Sequence, residues 1–161
     1  MKVVRIQPLS NYCFICGINN DYGLKAKFYE VEDESVVSIF EYDPHHQSYP
    51  GRTHGGIITA MLDEVIGRAI WIYEKDTWGV TTSINVKFRK EVPYSTKLKA
   101  IGRITKNGSR LFSGIGKLYD SNGNLLATAE AMYYKLDFKK ITGELSHEEC
   151  NIIIEDDVKE I

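Results

Sequence analysis

The sequence lacks any apolar run near the roughly 20 residues that a helix needs to cross a bilayer, so no membrane-spanning helix is predicted. It also lacks an excess of either charge. The 20 Lys and Arg residues and 22 Asp and Glu residues give a net charge of -2, which provides no reason to expect nucleic acid or a membrane as partner. The chain has only three cysteines, an odd number, and residues 1–8 lack the apolar core of a signal peptide. We therefore expect a cytoplasmic protein.

The chain does have enough apolar residues for one core. Its 161 residues, 43% of them hydrophobic, predict a single folded domain. The charges are unevenly distributed, because residues 86–117 contain nine basic residues and one acid, Glu91. From residue 137 onward acids dominate. A polyanionic ligand is therefore expected at the middle of the chain and not at its end.

Hydrophobic periodicity outlines the fold. Alternation predicts strands at about 24–28, 35–42, 80–89, 96–105, 110–119 and 125–136, and one long helix at about 55–73. The hairpin signals Asn107-Gly108 and Asn122-Gly123 predict that the last four strands form an up-and-down run. This is an α+β chain with a mostly antiparallel sheet. We divide it into a lead-in (1–10), a domain (11–137) and an acidic C-terminal tail (138–161).

The run from His54 to Glu64 is the most informative part of the helix. Gly55 and Gly56 stand at the helix start, where unpaired N–H groups and the helix dipole favour negative charge and can hold an oxyanion. Asp63 lies about two turns further in, within an otherwise apolar helix. An acid there is costly unless it has a partner or a use.

The helical wheel gives this helix two faces. Large apolar residues, among them Ile58 and Leu62, occupy the face that predicts core packing. Asp63 lies on the opposite, narrow stripe of small residues, which a second subunit or a substrate can approach closely; the stripe comprises Gly56, Ala60, Asp63 and Gly67. A satisfied core carboxylate is the alternative interpretation of Asp63, and the less favoured one because Asp is seldom buried without a purpose.

The ordered set of motifs resembles the PaaI-like acyl-CoA thioesterases of the hotdog-fold superfamily. The resemblance covers roughly residues 11–136 and rests on matches in the family's order: Cys13-Phe14-Ile15-Cys16-Gly17, Tyr22-Gly23-Leu24, Pro50-Gly51, His54-Gly55-Gly56, Asp63-Glu64, Thr81 and Asn85. It implies a hotdog fold, a curved antiparallel sheet of about six strands wrapped around one long central helix. It also implies a homodimer or homotetramer whose active sites lie across the interface.

The same resemblance implies roles for individual residues. The Gly55 N–H is expected to polarise the thioester carbonyl, and His54 to help orient it. Asp63, from the other subunit, is expected to act as general base or nucleophile, with Glu64 as the fallback acid. Thr81 is expected to help position the attacking water. The substrate is an acyl-CoA or another acyl thioester, so coenzyme A enters as part of the substrate and no separate cofactor or metal is expected.

Substrate-binding candidates are less specific. In the basic middle of the chain, five residues are candidates for the phosphates of coenzyme A, although a solvated strand face explains any one of them as well: Arg89, Lys90, Arg103, Lys106 and Arg110. Some relatives have an Asn shortly before the glycines, and here Gln47 or Ser48 occupies that loop. Gly56 and Asn85 complete the candidate set.

Two other functions remain open. A hotdog dehydratase or hydratase uses a His with an acid, and His46 with the helix acid resembles that pattern. A non-catalytic acyl-CoA-binding hotdog protein is the other alternative. Cys13 and Cys16 have the spacing of zinc or redox motifs, but without a second pair we interpret them as small packing residues. His45 and His46 are predicted to lie on a loop surface.

Overall fold

The structure is a computed structural model that describes residues 1–137 and 147–161. Its main sheet has seven strands in the order β1-β2-β3-β7-β8-β9-β6, all paired antiparallel, and β4 and β5 form a separate small hairpin. The strands are β1 (Val3–Ile6), β2 (Tyr29–Val31), β3 (Ser35–Phe40), β4 (Gln47–Tyr49), β5 (Arg52–Thr53), β6 (Thr77–Phe88), β7 (Leu98–Asn107), β8 (Leu111–Asp120) and β9 (Leu125–Asp137). The α-helices are α1 (Gly55–Arg68) and α2 (His147–Cys150).

The predicted architecture, an antiparallel sheet with one long helix against it, is confirmed. The sheet has seven strands rather than about six, because the lead-in forms β1 on β2. The strand expected at 24–28 lies instead at Tyr29–Val31. The hydrophobic alternation at 24–28 arises because Ala26 and Phe28 are both buried. Their backbone groups form hydrogen bonds with loop residues rather than with a strand. Helix α1 begins as predicted and continues as a 3₁₀ turn over Ala69–Ile72.

The up-and-down run is confirmed only for β7, β8 and β9, which are joined by the two predicted turns. Strand β6 was expected beside β7, but it pairs with β9 and forms an edge of the sheet. The connection from β6 to β7 is nine residues long and contains Pro93. It is too long for a tight hairpin, and it is long enough to pass over the end of the sheet to a strand that is not adjacent. Strand β3 occupies the place beside β7 instead.

Helix α1 packs its large face on the sheet. Leu62 and Val65 are fully buried there, as the helical wheel predicts, and so is Ile66. At Gly102 of β7 the two backbones approach so closely that a Cβ would lie 2.1 Å from the Val65 carbonyl oxygen. Only glycine permits this approach, so Gly102 is the residue that allows the backbones of α1 and β7 to come into contact here.

A β-bulge in β6 determines which side chains face the helix. Thr81 pairs with Tyr133, but Ser83 pairs with Met132, so one extra residue lies between them. Simple alternation places Thr81 on the polar outer face. The bulge reverses this, because directly paired residues share a face and Tyr133 is buried against α1. Thr81 therefore points toward the helix.

The described part of the C-terminal tail lies along the N-terminal segment. Ile152 exchanges backbone hydrogen bonds with Leu9, and Lys2 forms a bridge with Glu160. Residues 138–146 of the predicted tail lie outside the described residues. Among the helices that the structure describes, none has the length and apolar character needed to cross a membrane.

Candidate active site

The start of helix α1 is held by a hairpin that the loop forms just before it. Gln47 of β4 pairs with Thr53 of β5, and the His54 N–H donates to the His46 carbonyl at 2.8 Å. This brings Gln47 beside the helix start, where its Oε1 lies 3.4 Å from the Tyr94 hydroxyl. Ser48 is exposed on the same hairpin.

His54 caps the helix with its side chain. Its Nδ1 accepts from the Gly56 N–H at 3.0 Å, so in the neutral ring the proton is on Nε2, which makes Nε2 a donor. A Cβ on Gly56 would lie 3.1 Å from His54 Nδ1, so a glycine there leaves room for the ring. The Gly55 N–H has no acceptor among the described residues. Of the two glycine donors, Gly55 is therefore the one open to a ligand.

Asp63 is half-buried and held by two hydroxyl groups. The Thr81 hydroxyl lies 3.0 Å from each carboxylate oxygen, and the Tyr133 hydroxyl lies 2.9 Å from Oδ1. Burial raises the pKa of Asp63 and the neighbouring Glu64 adds to this, while the hydrogen bonds from Tyr133 and Thr81 oppose it. The net effect raises the pKa, which makes this carboxylate a better base.

Asp63 faces a cavity of about 420 Å³. The cavity combines the carboxylate and its two hydroxyl partners with a wall of aromatic and small residues: Trp71, Trp78, Gly67, Gly79 and Cys13. Trp71 is buried, and its ring centroid lies 5.3 Å from that of Trp78. Tyr49, another aromatic in the sequence, is 73% exposed on the loop hairpin.

Glu64, the fallback acid, is engaged in an ion pair with Arg68. It accepts from Arg68 Nε at 2.7 Å, and Arg68 is 5% exposed. Arg68 also donates to the Pro8 carbonyl at 3.0 Å and lies 4.4 Å from the centre of the Phe28 ring. A buried guanidinium needs a partner anion, so Glu64 serves the charge balance of the core.

The two halves of the predicted site are far apart within one chain. Gly55 and Asp63 are eight residues apart on α1, which places them about 12 Å apart along the helix axis. Gly55 lies beside Phe88 at the end of β6, whereas the Asp63 carboxylate contacts Thr81 nearer the beginning of that strand. One chain therefore presents an N–H that is unpaired within its described residues at one end of the helix and a carboxylate of raised pKa near the other.

The basic candidates fall into two groups. Arg89 and Lys90 follow β6 at the end where α1 begins, and Lys90 Nζ lies 3.3 Å from Asn124 Oδ1. Arg103 and Lys106 lie on β7, where they pair with Ile115 and Ser113, and Arg110 precedes β8, so this group runs from the middle of the sheet to its other end. Arg103 forms a 2.6 Å ion pair with Asp33. Asn85 pairs with Glu130 and is exposed on the face away from Asp63.

The loop histidines differ in position. His45 is exposed and contacts Asp43, as expected of a surface residue. His46 was expected on the surface but is buried: its Nδ1 accepts from the Asp43 N–H at 2.9 Å and its Nε2 lies 2.9 Å from the Tyr22 carbonyl. Both ring nitrogens are engaged, so His46 supports the loop.

Sequence reasoning missed Tyr133 and the structural role of Arg68. Alternation along β9 places Tyr133 on the same face as Ala127, Ala129 and Ala131, which are buried, so this pattern pointed to it. Nothing in the sequence indicated that the tyrosine reaches Asp63, because that contact depends on the register of β9 against β6.

Comparison with known proteins agrees with this geometry. The thioesterase superfamily matches residues 50–127, which contain the glycines, Asp63 and Thr81. The acyl-coenzyme A thioesterase THEM4 of Bos taurus is 26% identical over 144 residues, which are 86% of this chain and 58% of that protein. The chain thus spans less than two thirds of that relative's length.

Solved structures share the fold. A crystal structure of a thioesterase superfamily protein has a TM-score of 0.70 at 21% identity, covering 76% of this chain and 63% of that one. Zebrafish thioesterase superfamily member 2 has a TM-score of 0.63 at 21% identity, covering 68% of this chain and 80% of that one. The helix-start glycines and Asp63 lie inside the segment that matches the thioesterase superfamily, and the solved structures show the same hotdog fold.

Proposed function

We propose that the protein hydrolyses acyl-CoA thioesters to a free acid and coenzyme A. The observation that carries the proposal is the Asp63 carboxylate, which lines a cavity and accepts hydrogen bonds only from hydroxyl groups among the described residues. A structural carboxylate is normally paired with a cation, as Glu64 is with Arg68. Asp63 is instead held in place with its basicity preserved. The activity printed in the names of the THEM4 relatives supports the same reaction.

The chemistry divides between the two ends of the helix. Attack on a thioester carbonyl places negative charge on its oxygen, and the open Gly55 N–H at the helix start can stabilise that charge without rearrangement. The Nε2–H of His54 is a second donor beside it. Asp63 takes a proton from water, or attacks the carbonyl itself, and Thr81 holds the carboxylate oxygens in position.

A second copy of the chain completes this site. The roughly 12 Å between Gly55 and Asp63 is too long for one thioester carbon to contact both within one chain. Two copies of α1 side by side in opposite directions bring the Gly55 of one to the Asp63 of the other. Strand β6 supports such an assembly, since it is an edge strand of 12 residues with Val80 and Phe88 about half exposed.

Coenzyme A is expected to lie with its phosphates near Arg89 and Lys90, which are at the same end of the sheet as the Gly55 N–H. Guanidinium and ammonium groups are the usual phosphate partners. Further candidates for binding these phosphates, contributed by the second copy of the chain, are Arg103, Lys106 and Arg110.

Thiol release tests the activity directly. The protein is incubated with a panel of acyl-CoAs, and free coenzyme A is measured with Ellman's reagent. Hydrolysis of at least one acyl-CoA, lost in Asp63→Asn, is expected. Binding without thiol release would indicate the non-catalytic alternative. Water addition to an enoyl-CoA, followed by its absorbance, would indicate the hydratase, for which engaged His46 offers no open nitrogen.

Mixing two inactive variants tests the shared site. Asp63→Asn removes the base, and Gly55→Pro removes the N–H at the first helical position, where proline is tolerated. When subunits exchange at random, about half of the dimers are mixed and each has one site with both wild-type groups, so about a quarter of wild-type activity should return. No recovery despite proven exchange would contradict a site built from two chains.

A further inference from the structure

Cys13 and Cys16 lie close together beside the proposed active-site cavity. They occupy a turn in which the Gly17 N–H donates to the Cys13 carbonyl at 2.8 Å. Their sulfur atoms and a Glu64 carboxylate oxygen all lie within 4.8 Å of one another. A turn brings the first and fourth Cα atoms within 7 Å, which matches the 4.4–6.8 Å span of a disulfide. Side-chain rotation is therefore enough to join the two sulfur atoms.

The buried Arg68 makes this pair chemically unequal. Its Nη2 donates to Cys16 Sγ at 3.0 Å, in a site where Cys16 has no exposed surface. The hydrogen bond from Cys13 and the charge of Arg68 lower the pKa of Cys16 to about 6, although burial opposes them. The same hydrogen bond and burial raise the pKa of Cys13. The contact with Arg68 and the opposite pKa shifts therefore favour the thiolate at Cys16 and the thiol at Cys13.

A metal fits this cluster poorly. The Arg68 guanidinium already bonds both Cys16 and Glu64, at 3.0 and 2.7 Å. A divalent cation held by the same two groups would lie close to a buried positive charge. Charge repulsion therefore disfavours a metal, whereas a dithiol needs no further ligand.

Access to the pair runs through the cavity. Cys13 is half-buried and lines the cavity that also contains Asp63, while Cys16 lies behind it. The third cysteine, Cys150, lines the same cavity. A small reagent entering the cavity therefore meets Cys13 before Cys16, as in a pair with one attacking and one resolving sulfur.

We propose that Cys13 and Cys16 form a redox-active dithiol that small-molecule disulfides oxidise to an intramolecular disulfide. Cys13 passes its proton to Cys16 as its sulfur attacks one sulfur of the small disulfide, and the other sulfur leaves as a thiolate. Cys16 gives the proton to that thiolate and attacks Cys13 Sγ, releasing the second small thiolate. The protein loses two electrons, and the small disulfide gains two and becomes one thiol and one thiolate. This proposal does not depend on the proposed hydrolase activity.

Mass spectrometry tests the proposal on the native full-length chain. The protein is incubated with hydroxyethyl disulfide, quenched with acid and digested with trypsin. Residues 6–25 form one tryptic peptide that contains both cysteines and no others. We expect this peptide to lose the mass of two hydrogens, and dithiothreitol to restore it. Cys150→Ser should behave as wild type.

Serine variants separate the roles of the two sulfurs. In Cys16→Ser, Cys13 is expected to keep the hydroxyethyl adduct, since no resolving sulfur is present. In Cys13→Ser, no adduct should form on Cys16 of the folded protein, because Cys16 is fully buried. The proposal is overturned if wild type keeps the adduct on Cys13, if the disulfide includes Cys150, or if the 6–25 peptide stays reduced under conditions that oxidise a model C-x-x-C peptide.

Discussion

The Thr81 hydroxyl lies within hydrogen-bond distance of both carboxylate oxygens of Asp63, at 3.0 Å each. This contact exists because the bulge in β6 turns Thr81 toward α1. Tyr133, its cross-strand neighbour, also donates to this carboxylate, at 2.9 Å from Oδ1. Two strands and the helix therefore fix one acid, and each hydroxyl stabilises its ionised form.

Removing these hydroxyls should shift the pH profile. Burial raises the pKa of Asp63, and the hydrogen bonds from Tyr133 and Thr81 hold it down. In Tyr133→Phe and Thr81→Val the pKa should rise further, because the ionised form loses a donor. A general base works when ionised, so the acidic limb of kcat/KM should move to higher pH in both variants.

Thr81→Ser is the matched control for this shift, since it keeps the hydroxyl. Its acidic limb should coincide with that of wild type. The measurement is kcat/KM for an acyl-CoA that the protein hydrolyses, taken at pH values from about 5 to about 9. An acidic limb that stays in place when both hydroxyls are absent would show that Asp63 is not the titrating base.

Local sequence patterns were sufficient for the helix. The apolar face with Leu62 and Val65 and the glycines at the helix start are short-range features, so periodicity predicts them. The capping of the helix by His54 was not predicted, because histidine is not a usual capping residue. The contact between Thr81 and Asp63 was expected from the family resemblance. The turns at Asn107-Gly108 and Asn122-Gly123 were also local, and both join strands as predicted.

Long-range pairing was beyond local patterns. The pairing of β6 with β9 is a long-range contact, and no local pattern in β6 indicates it. The bulge at Thr81 interrupts alternation without a glycine to mark it. Likewise, the burial of His46 follows from the folding of its loop onto Tyr22. These features decide which side chains surround Asp63.

Asp63→Asn should abolish turnover and leave assembly and acyl-CoA binding intact. Loss of a general base lowers kcat by about 10²–10⁴-fold. The amide keeps the size of the side chain and an oxygen that can accept from Thr81 or Tyr133. Ellman's assay gives turnover, and size-exclusion chromatography with calorimetric titration of acyl-CoA gives assembly and binding. Full activity would exclude Asp63 as base or nucleophile.

The same variant should be more stable than wild type at neutral pH. The raised pKa of Asp63 means that the folded state favours the protonated acid. That stability is present below the unfolded pKa of about 3.9 and is lost as pH rises through the folded value. The Tm of Asp63→Asn should therefore exceed that of wild type near pH 7, by about 2–4 °C for each 1 kcal/mol, and the gap should shrink toward pH 4. A gap that is independent of pH would contradict the raised pKa.

His54 should contribute separately to stability and to catalysis. Its Nδ1 caps helix α1, and removing a cap costs about 1 kcal/mol. His54→Ala should therefore lower both Tm and kcat. His54→Asn supplies an alternative capping oxygen without the Nε2–H donor, so it should recover Tm but not kcat. Thermal unfolding and steady-state kinetics of the three proteins provide the comparison, and recovery of both quantities would reduce His54 to a cap.

Gly55 is the sharpest test of the oxyanion site because its N–H can be removed without removing the helix. It is the first residue of α1, where proline is favoured, and His54 before it has the extended backbone, φ -65° and ψ 133°, that a residue before proline prefers. Gly55→Pro should therefore fold and lose about 10²–10³-fold in kcat, the usual cost of one oxyanion donor.

Gly55→Ala is the control for the added carbon atoms. Its Cβ meets the Phe88 ring at 3.3 Å, as the proline Cβ does, but the N–H remains. The exposed Phe88 ring can move by the few tenths of an ångström required, so the alanine variant should lose far less activity than the proline variant. Equal losses in the two variants would assign the effect to crowding at Phe88, and the Gly55 N–H would have no part in catalysis.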